Sequence, residues 1–362
     1  MHHALQLAGR GFGFVEPNPQ VGAVIVSPER DFIAEGWHSR FGGPHAEIHA
    51  IQAAAGRTAG QDLFVTLEPC SHHGKTPPCV AAILQAGFRR VVVGCPDPAP
   101  HASGRGLQQL REAGVIVDVG LCQKQAEATI APFRRHMLQQ RPWVHAKWAM
   151  SLDGRIACDS GHSRWISSPA SRAAVHTLRG RVDAILTGAG TVRADNPLLT
   201  ARPPGPRTPL RVVFDPGGTA VTATSRLIQS LSEAPVLVCV SNRCSQIQRD
   251  RLRGLGVQIF AVDSPDQIPP RIALEELGRR GATHVLVEAG PALLGAFFDS
   301  QAVDEVHVFV APKILGGTQP RSAVAGNGRS SVPDFCQLNS VTVQRLDTDV
   351  LIEGRWFTDA DA

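Results

Sequence analysis

Short runs of valine and isoleucine alternate with segments of helical pattern over most of the chain, and this alternation narrows the possible folds more than any other feature. Near-continuous β-branched runs are typical of strands covered on both faces, and strands that alternate with helices form βαβ units. We therefore predict an α/β protein whose first 140 residues contain a largely parallel sheet. The strands predicted there are Val21–Ser27, Asp62–Glu68, Arg90–Cys95 and Val115–Gly120, and the helices lie around His45–Ala55, Cys79–Ala86 and Gly106–Ala113.

A second series of strand-like segments begins after Pro142, again with helical stretches between several of them. The strands predicted in this series are Trp143–Met150, Asp183–Gly190, Leu210–Asp215, Ala234–Val240, Gly256–Val262, Thr283–Gly290 and Glu305–Pro312. At roughly 150 residues per domain, the 362 residues suggest about two domains, 1–140 and 141–362, with a boundary near Gln140–Pro142. The Pro-, Gly- and Arg-rich stretch Ala201–Pro209 lies between two strands of the second series, so we interpret it as an exposed loop rather than a linker.

Charge and hydropathy argue against two classes of partner. The formal net charge is only +4 and no basic run stands out, so nucleic acid is not expected as a partner. No apolar run approaches the ~20 residues needed to span a bilayer, and the first residues show no secretory signal, so we expect no membrane partner. We therefore expect a cytoplasmic protein, in which a close pair of cysteines indicates metal binding or catalysis rather than a disulfide.

The stretch EPCSHHGKTPPC contains such a pair, Cys70 and Cys79, and the upstream HAE adds His45 and Glu47. A catalytic zinc ion takes three protein ligands and keeps its fourth position for water, whereas a structural site closes with a fourth protein ligand. His45, Cys70 and Cys79 supply three ligands. Glu47 is then placed to take a proton from the water and pass it to a leaving amine, which indicates hydrolytic deamination.

Zinc nucleobase deaminases combine H-x-E with P-C-x-x-C. Here eight residues rather than two separate the cysteines, so SHHGKTPP is an insertion at the mouth of the site, and we expect His72, His73 and Lys75 to face the substrate. His72 or His73 could instead be a fourth ligand or a solvated loop histidine. Asn18 and His38, in PNPQVG and GWH, could serve turn chemistry as readily as substrate contacts.

Several longer stretches resemble, in the same order, one family: the bifunctional riboflavin biosynthesis deaminase-reductases. The stretches are PNPQVGAVIV, GWHSRFGGPHAE, VTLEPCSHHGKTPPC and PDPAPHASGRGL in the first half, and KWAMSLDGRIA, SRWISSP, LTGAGTVRADNPLLTAR, VEAGPALLGAFF and VFVAPKILGG in the second. The insertion between the cysteines, SLDGR and VEAGP are specific to this family, whereas HAE with PC is shared by all zinc nucleobase deaminases. The resemblance implies a cytidine-deaminase-like domain followed by a dihydrofolate-reductase-like domain.

The resemblance also implies two successive reactions on a small phosphoribosylaminopyrimidine. The first is zinc-dependent loss of the ring 2-amino group of 2,5-diamino-6-(5-phospho-ribosylamino)pyrimidin-4-one. The second is reduction of the ribosyl group to a ribityl chain by NADPH. We accordingly expect one Zn²⁺ per deaminase site, NADPH in the reductase half, and a homo-oligomer.

The positions that match the family's functional residues fall into four groups. In the first half, Glu47 is implied as catalytic, with zinc ligands His45, Cys70 and Cys79 and a substrate pocket formed by Asn18, His38, His72, Lys75 and Asp97. In the second half, the implied cofactor positions are Ala149, Trp165, Thr191, Asp195, Gly290, Pro291, Ala292, Leu293, Leu294, Gly295 and Ala296. The implied reductase substrate positions are Ser163, Arg179, Leu199, Arg202 and Glu288.

The second half also carries weaker signals of its own. Small residues after the strand DAIL allow the backbone to approach a phosphate, and the Gly-Pro of VEAGPALLGAFF begins a helix that suits an anion. The full G-x-G-x-x-G fingerprint is absent, so a conventional dinucleotide fold is not predicted. Arg179 and Arg202 suit a substrate phosphate, although either could form a surface ion pair. No residue stands out as the proton donor for reduction.

Two positions depart from the family pattern: Ala99, where the family usually has Asn, and Pro216, where relatives often carry Ser. Neither touches the predicted zinc ligands, so we expect both activities. Three alternatives stay open. A deaminase of bases within RNA would need a basic groove with stacking aromatics, a non-catalytic protein would close its zinc site with a fourth ligand, and a chain with one active half would perform only one step.

Overall fold

The computed structural model of the chain describes residues 1–71, 77–99, 103–319, 322–328, 331 and 338–356. The chain divides into two compact units, Met1–Gln140 and Arg141–Ala362. Within the described residues, no helix is both long and apolar enough to cross a membrane.

The first unit contains five strands and five helices among its described residues. In chain order they are α1 His2–Gly9, β1 Gly22–Val26, β2 Phe32–Trp37, α2 Ala46–Ala54, β3 Asp62–Leu67, α3 Cys79–Gln85, β4 Arg90–Cys95, α4 Arg105–Glu112, β5 Ile116–Val119 and α5 Gln123–Gln139. The four strands and three helices predicted from the sequence are all present. Strand β2 and helices α1 and α5 were not predicted.

The sheet of this unit has the order β2-β1-β3-β4-β5, and it is only half parallel. Strands β3, β4 and β5 pair in parallel, whereas β1 is antiparallel to both β2 and β3. The prediction of a largely parallel sheet is therefore wrong for the β1 side. The physical reason is the hairpin from β1 into the unpredicted β2, which turns the chain back before α2 leads into β3.

Helix α2 packs closely on this sheet, and that contact positions the first site. Its buried face consists largely of alanines, Ala46, Ala50 and Ala54, which belong to the same core as the strands. A Cβ atom at Gly36 on β2 would lie 2.4 Å from the backbone nitrogen of Ala50, far closer than a real contact. Glycine is therefore required at Gly36 so that the helix backbone can lie directly against the strand.

The second unit contains nine strands and six helices among its described residues. They are β6 Trp143–Ser151, α6 Pro169–Arg179, β7 Ala184–Gly188, α7 Ala189–Asp195, β8 Leu210–Phe214, α8 Arg226–Gln229, β9 Val236–Val240, α9 Gln246–Gly254, β10 Gln258–Ala261, α10 Pro270–Arg279, β11 His284–Val287, α11 Pro291–Asp299, β12 Glu305–Ala311, β13 Asn339–Leu346 and β14 Asp349–Arg355. All seven predicted strands of the second series are present, and β13 and β14 were not predicted. The stretch Ala201–Pro209 is a mostly exposed loop between β7 and β8, as predicted.

The nine strands form one sheet in the order β10-β9-β8-β7-β11-β6-β12-β14-β13. The seven strands from β10 to β12 pair in parallel, and β14 and β13 add an antiparallel edge. Valine and leucine side chains of the parallel strands are almost fully buried, which agrees with the near-continuous apolar runs in the sequence. Strands β11 and β6 are central, so the residues that follow β11 lie beside those of β6.

Candidate active sites

Three metal-ligating side chains predicted from the sequence meet in the first unit. His45 immediately precedes α2, Cys70 follows β3, and Cys79 is the first residue of α3. The Nδ1 atom of His45 lies 3.2 Å from Sγ of Cys79 and 3.6 Å from Sγ of Cys70, and the three ligand atoms all lie within 4.8 Å of one another. One imidazole and two thiols at this spacing form a donor set that suits zinc.

The two thiols of this cluster are strongly coupled. A hydrogen bond with Cys79 lowers the pKa of Cys70, and the pKa of Cys79 is raised by the same bond and by burial. The backbone N–H of Cys79 also donates to Sγ of Cys70 at 3.3 Å. Cys70 is therefore the sulfur that holds negative charge most readily, and both sulfurs would be thiolates when bound to a metal.

Glu47 lies in the first turn of α2, two residues after His45. Its side chain is only 3% exposed, and burial raises the pKa of its carboxyl group. The positive charge of a protonated His45 and a hydrogen bond with Cys79 act in the opposite direction. The carboxyl group thus stands beside the metal-ligating cluster without occupying one of the three ligand positions.

Asn18 and His38 lie beside the same cluster. Nδ1 of His38 lies 2.9 Å from the carbonyl oxygen of Pro44, so this nitrogen carries the proton, and Nε2 accepts a hydrogen bond from the Asn18 amide at 3.1 Å. Burial lowers the pKa of His38, which favours this neutral form. The rings of His38 and His45 are 5.3 Å apart, edge to face.

Asp97 follows β4, and it is held by a residue that the sequence reasoning missed as a functional one. The buried Glu68 carboxylate accepts hydrogen bonds from the backbone N–H groups of Asp97, Gly104 and Gly106, at 3.2, 3.0 and 3.0 Å. Glu68 directly precedes Pro69-Cys70, and this position next to a predicted zinc ligand is the sequence signal that could have identified it. His72, His73 and Lys75 lie outside the described residues.

A second cluster of charged groups lies in the second unit. Arg179, at the end of α6, donates two hydrogen bonds to the Glu288 carboxylate at 2.6 and 2.8 Å. Lys147 on β6 lies 4.0 Å from the same carboxylate. Burial lowers the pKa of Lys147, while the negative charge of Glu288 raises it. Lys147 was missed because it lies inside a predicted strand. The pairing of Val287 with Ala146 brings it beside Glu288. The sequence alone does not reveal this register.

Arg202 and Leu199 lie next to this charged cluster. The carbonyl oxygen of Thr200 accepts a hydrogen bond from Arg179, and its hydroxyl oxygen accepts one from Arg202 at 2.9 Å. Leu199 is buried and has a positive φ of 55°. Arg202 is exposed, whereas Arg179 is largely buried and bonded to Glu288. Arg202 is therefore the more accessible of the two to a ligand.

Two helices that the sequence linked to cofactor binding begin near each other. Gly188 precedes α7 and Gly290 precedes α11, and the Gly290 N–H donates to the Thr191 hydroxyl at 3.1 Å. In the run Gly290–Ala296, Leu294 is buried in the core and Gly295 packs against Ala325, while Pro291, Ala292, Leu293 and Ala296 keep some exposure.

The other sequence-implied cofactor and substrate positions of this unit lie on β6, in the loop between β6 and α6, and at the end of α7. Trp165 is 62% exposed, and the Arg172 guanidinium lies 4.6 Å from its ring centre. Asp195 ends α7, and its carbonyl oxygen accepts a hydrogen bond from Arg164 at 2.7 Å. Ala149 lies on β6, and Ser163 is partly exposed in the loop before Trp165.

Comparison with known proteins assigns a family to each part of the chain. The model of the cytidine and deoxycytidylate deaminase zinc-binding region matches residues 1–95, and the RibD C-terminal domain model matches residues 142–352. The riboflavin biosynthesis protein RibD of Bacillus amyloliquefaciens is 39% identical over 351 residues, which cover 97% of this chain and 94% of the relative.

Two solved structures match almost the whole chain. One is a diaminohydroxyphosphoribosylaminopyrimidine deaminase/5-amino-6-(5-phosphoribosylamino)uracil reductase from Thermotoga maritima, with a TM-score of 0.80 and 37% identity. The other is RibD of Acinetobacter baumannii, with a TM-score of 0.78 and 34% identity. In both cases the match covers 98% of this chain and 97% of the other.

Proposed function

Because this chain belongs to the RibD family of riboflavin biosynthesis enzymes, we propose that each of its two units performs one of the family's two reactions. The chain is a bifunctional deaminase and reductase. It deaminates 2,5-diamino-6-(5-phospho-ribosylamino)pyrimidin-4(3H)-one and then reduces the ribosyl side chain, giving 5-amino-6-(5-phospho-ribitylamino)uracil. In this assignment, residues 1–140 perform the deamination and residues 141–362 the reduction.

The observation that carries the deaminase assignment is the meeting of His45, Cys70 and Cys79 beside the buried Glu47. These three side chains would hold one Zn²⁺. The ion would supply acidity to the water that attacks the pyrimidine ring. Glu47 would take a proton from this water and deliver it to the departing amino group, since it is close to the ligands without being one of them.

Asn18, His38 and Asp97 would orient the substrate at this site. Because His38 is neutral and bonded to both Pro44 and Asn18, it fixes the direction of the Asn18 amide. Glu68 would hold the segment around Asp97 through its three backbone hydrogen bonds. His72 and Lys75 would complete the pocket, as the resemblance implies.

The reductase assignment rests on the group of Lys147, Arg179 and Glu288. NADPH would supply the hydride for the sugar carbon. It would bind along the starts of α7 and α11, at the cofactor positions that the resemblance implies. Lys147 is our candidate for the residue that gives a proton to the opening sugar ring, because burial makes its ammonium group more acidic than an exposed lysine.

The substrate positions of the second unit would hold the sugar phosphate. Arg202 is better placed for the phosphate than Arg179, because Arg202 is an exposed residue, while Arg179 is largely buried and bonded to Glu288. Glu288 would then face the sugar hydroxyls, and Ser163 and Leu199 would border the substrate.

We also propose a homo-oligomer that acts in the cytoplasm. The outermost strand β13 exposes Val341 and Val343, an apolar edge that a second copy would cover. All seven cysteines among the described residues are free thiols, which fits a reducing compartment. Sedimentation of the purified chain at several concentrations tests the assembly.

The direct test is mass spectrometry of the diaminopyrimidine substrate after incubation with zinc-loaded protein, with and without NADPH. Deaminated product without NADPH, and a further gain of two hydrogens only with it, would support both assignments. Unchanged substrate in both tubes would contradict the deaminase assignment. Supplying the deaminated compound directly would then test the reductase unit by itself.

A further inference from the structure

A second cluster of metal-ligating side chains lies in the second unit, next to Lys147 on the same strands, and shares no residue with the sites assigned above. It consists of His145 on β6, His284 on β11, Glu305 and His307 on β12, and Glu353 on β14. These strands are neighbours in the order β11-β6-β12-β14, and the register pairs His145 with Glu305 and His307 with Glu353. The cluster is therefore a row across one face of the sheet.

Three of its atoms are spaced like the ligands of one metal ion. Nδ1 of His145 lies 3.0 Å from Nε2 of His307, Oε1 of Glu305 lies 3.7 Å from that same Nε2, and all three ligand atoms are within 4.8 Å of one another. In a tetrahedral zinc site with bonds of about 2.0–2.1 Å, neighbouring ligand atoms lie about 3.3 Å apart. The two separations, 3.0 and 3.7 Å, lie on either side of this value.

Each of the three candidate ligands is held on its other side by a further residue. Nδ1 of His307 lies 2.7 Å from the Glu353 carboxylate, and Nε2 of His145 lies 3.0 Å from Nδ1 of His284. The second oxygen of Glu305 accepts a hydrogen bond from the Trp143 indole at 3.1 Å. Such outer contacts are what orient the histidine and carboxylate ligands of metal sites.

Either a proton or a cation can lie between Nδ1 of His145 and Nε2 of His307, depending on the tautomers of the histidines. Because the Glu353 carboxylate accepts a hydrogen bond, His307 carries its proton on Nδ1 and presents a lone pair at Nε2. His145 can meet this lone pair with its own Nδ1–H. Alternatively, His145 and His284 both shift to the other tautomer, and the two lone pairs then face a metal ion with no net release of protons.

The local charge favours the ion. Glu305 and Glu353 contribute two negative charges, and Arg355, 3.6 Å from Glu305, contributes one positive charge. Lys147, the register partner of His307, has its own counter-charge in Glu288, 4.0 Å away. We propose that His145, His307 and Glu305 form a second metal site, for one divalent ion of the Zn²⁺ class. Imidazole and carboxylate ligands suit Zn²⁺ and its first-row neighbours. The site is independent of the zinc site proposed for deamination.

The test is the zinc content of the full-length protein, expressed in zinc-supplemented medium and gel-filtered before elemental mass spectrometry. His307→Gln should lower the content by one ion per chain, both in the parent and in a Cys79→Ser background. Because the comparison is a difference, it does not depend on occupancy at Cys70 and Cys79. Equal zinc content in His307→Gln and its parent would overturn the proposal.

Two controls keep the outcome interpretable. His3→Gln removes a half-exposed histidine from the other unit and should leave the zinc content unchanged. If this variant, and not His307→Gln, loses the extra ion, the ion is an adventitious surface ion and the site is refuted. If His307→Gln fails to fold, the Cys70→Ser, Cys79→Ser protein is loaded with Co²⁺. Visible cobalt bands without a thiolate charge-transfer band support the site, and their absence overturns it.

Discussion

The Arg179 guanidinium donates two hydrogen bonds, of 2.6 and 2.8 Å, to the Glu288 carboxylate, and the pair is largely buried between α6 and the end of β11. Burial alone would raise the pKa of Glu288, but the charge and hydrogen bonds of Arg179, together with Lys147, lower it to about 2. The carboxylate therefore stays ionised through the physiological range. We therefore expect this ion pair to make the stability of the second unit depend on acidic pH.

The ion pair leads to a prediction about acid stability. Since the folded pKa of Glu288 lies below its unfolded value of about 4.3, its stabilisation is complete above that pH and is lost as the pH falls towards about 2. Glu288→Gln should flatten this part of the pH profile in urea unfolding. Arg179→Ala should cost about 3–5 kcal/mol at neutral pH, because the buried Glu288 carboxylate loses its two direct hydrogen bonds and keeps only Lys147 nearby. An unchanged acid profile in Glu288→Gln would contradict this account.

Replacing Glu47 with Ala should separate the two activities. We expect deamination to fall by about 10²–10⁴-fold, because the proton carrier is lost while His45, Cys70 and Cys79 remain. Zinc content should stay the same, and reduction of the deaminated compound should be unaffected. The two reactions are measured separately, each with its own substrate. Loss of both activities together would count against two independent sites.

Glu68→Gln tests how the segment around Asp97 is held. The carboxylate accepts three backbone hydrogen bonds, and hydrogen bonds to a charged group contribute about 1.5–3 kcal/mol each. An amide has one oxygen in place of two, so it cannot accept all three with the same geometry. We expect a higher KM for deamination and unchanged reduction. Glu112→Gln, an exposed glutamate on α4, is the matched control, and equal KM values in the two variants would refute the role.

The sequence revealed the strands best where both faces are covered. The apolar runs of β4, β9 and β11 were recognised because each strand is buried almost completely. Strand β2, FIAEGW, was not predicted because an edge strand whose apolar run is broken by a glutamate and a glycine lacks that pattern. Strand β13 was not predicted because nearly all of its residues are exposed, so its sequence has no apolar run. The missing β2 also explains the wrong direction assigned to β1.

The site residues, like the strands, could be predicted from the sequence only where the signal is local. His45, Glu47, Cys70 and Cys79 lie in two short motifs whose chemistry is local, so their meeting could be anticipated. Lys147 reaches Glu288 only through the pairing of β6 with β11, and pairing register is not encoded in either segment alone.

Gly36→Ala should disturb the zinc ligands from a distance. The new methyl group would lie 2.4 Å from the backbone of Ala50, so α2 would have to move, and His45 and Glu47 would move with it. Overpacking of this kind costs about 1–3 kcal/mol. We expect a lower melting temperature and weaker zinc retention against a chelator. Gly9→Ala has open space around its Cβ and is the control; equal behaviour of both variants would contradict the packing argument.

Lys147 offers a test of the reductase chemistry through pH. Burial lowers the pKa of its ammonium group, so the proton should be lost at a lower pH than in an ordinary lysine, whose pKa is about 10.4. If Lys147 gives the proton during reduction, kcat should fall as the pH rises through its pKa. Lys147→Arg keeps the positive charge beside Glu288 but gives up a proton far less readily, so reduction should drop by about 10²–10⁴-fold while deamination continues. An arginine variant that reduces at the parent rate would show that Lys147 supplies charge alone, and the proton would then have to come from another donor.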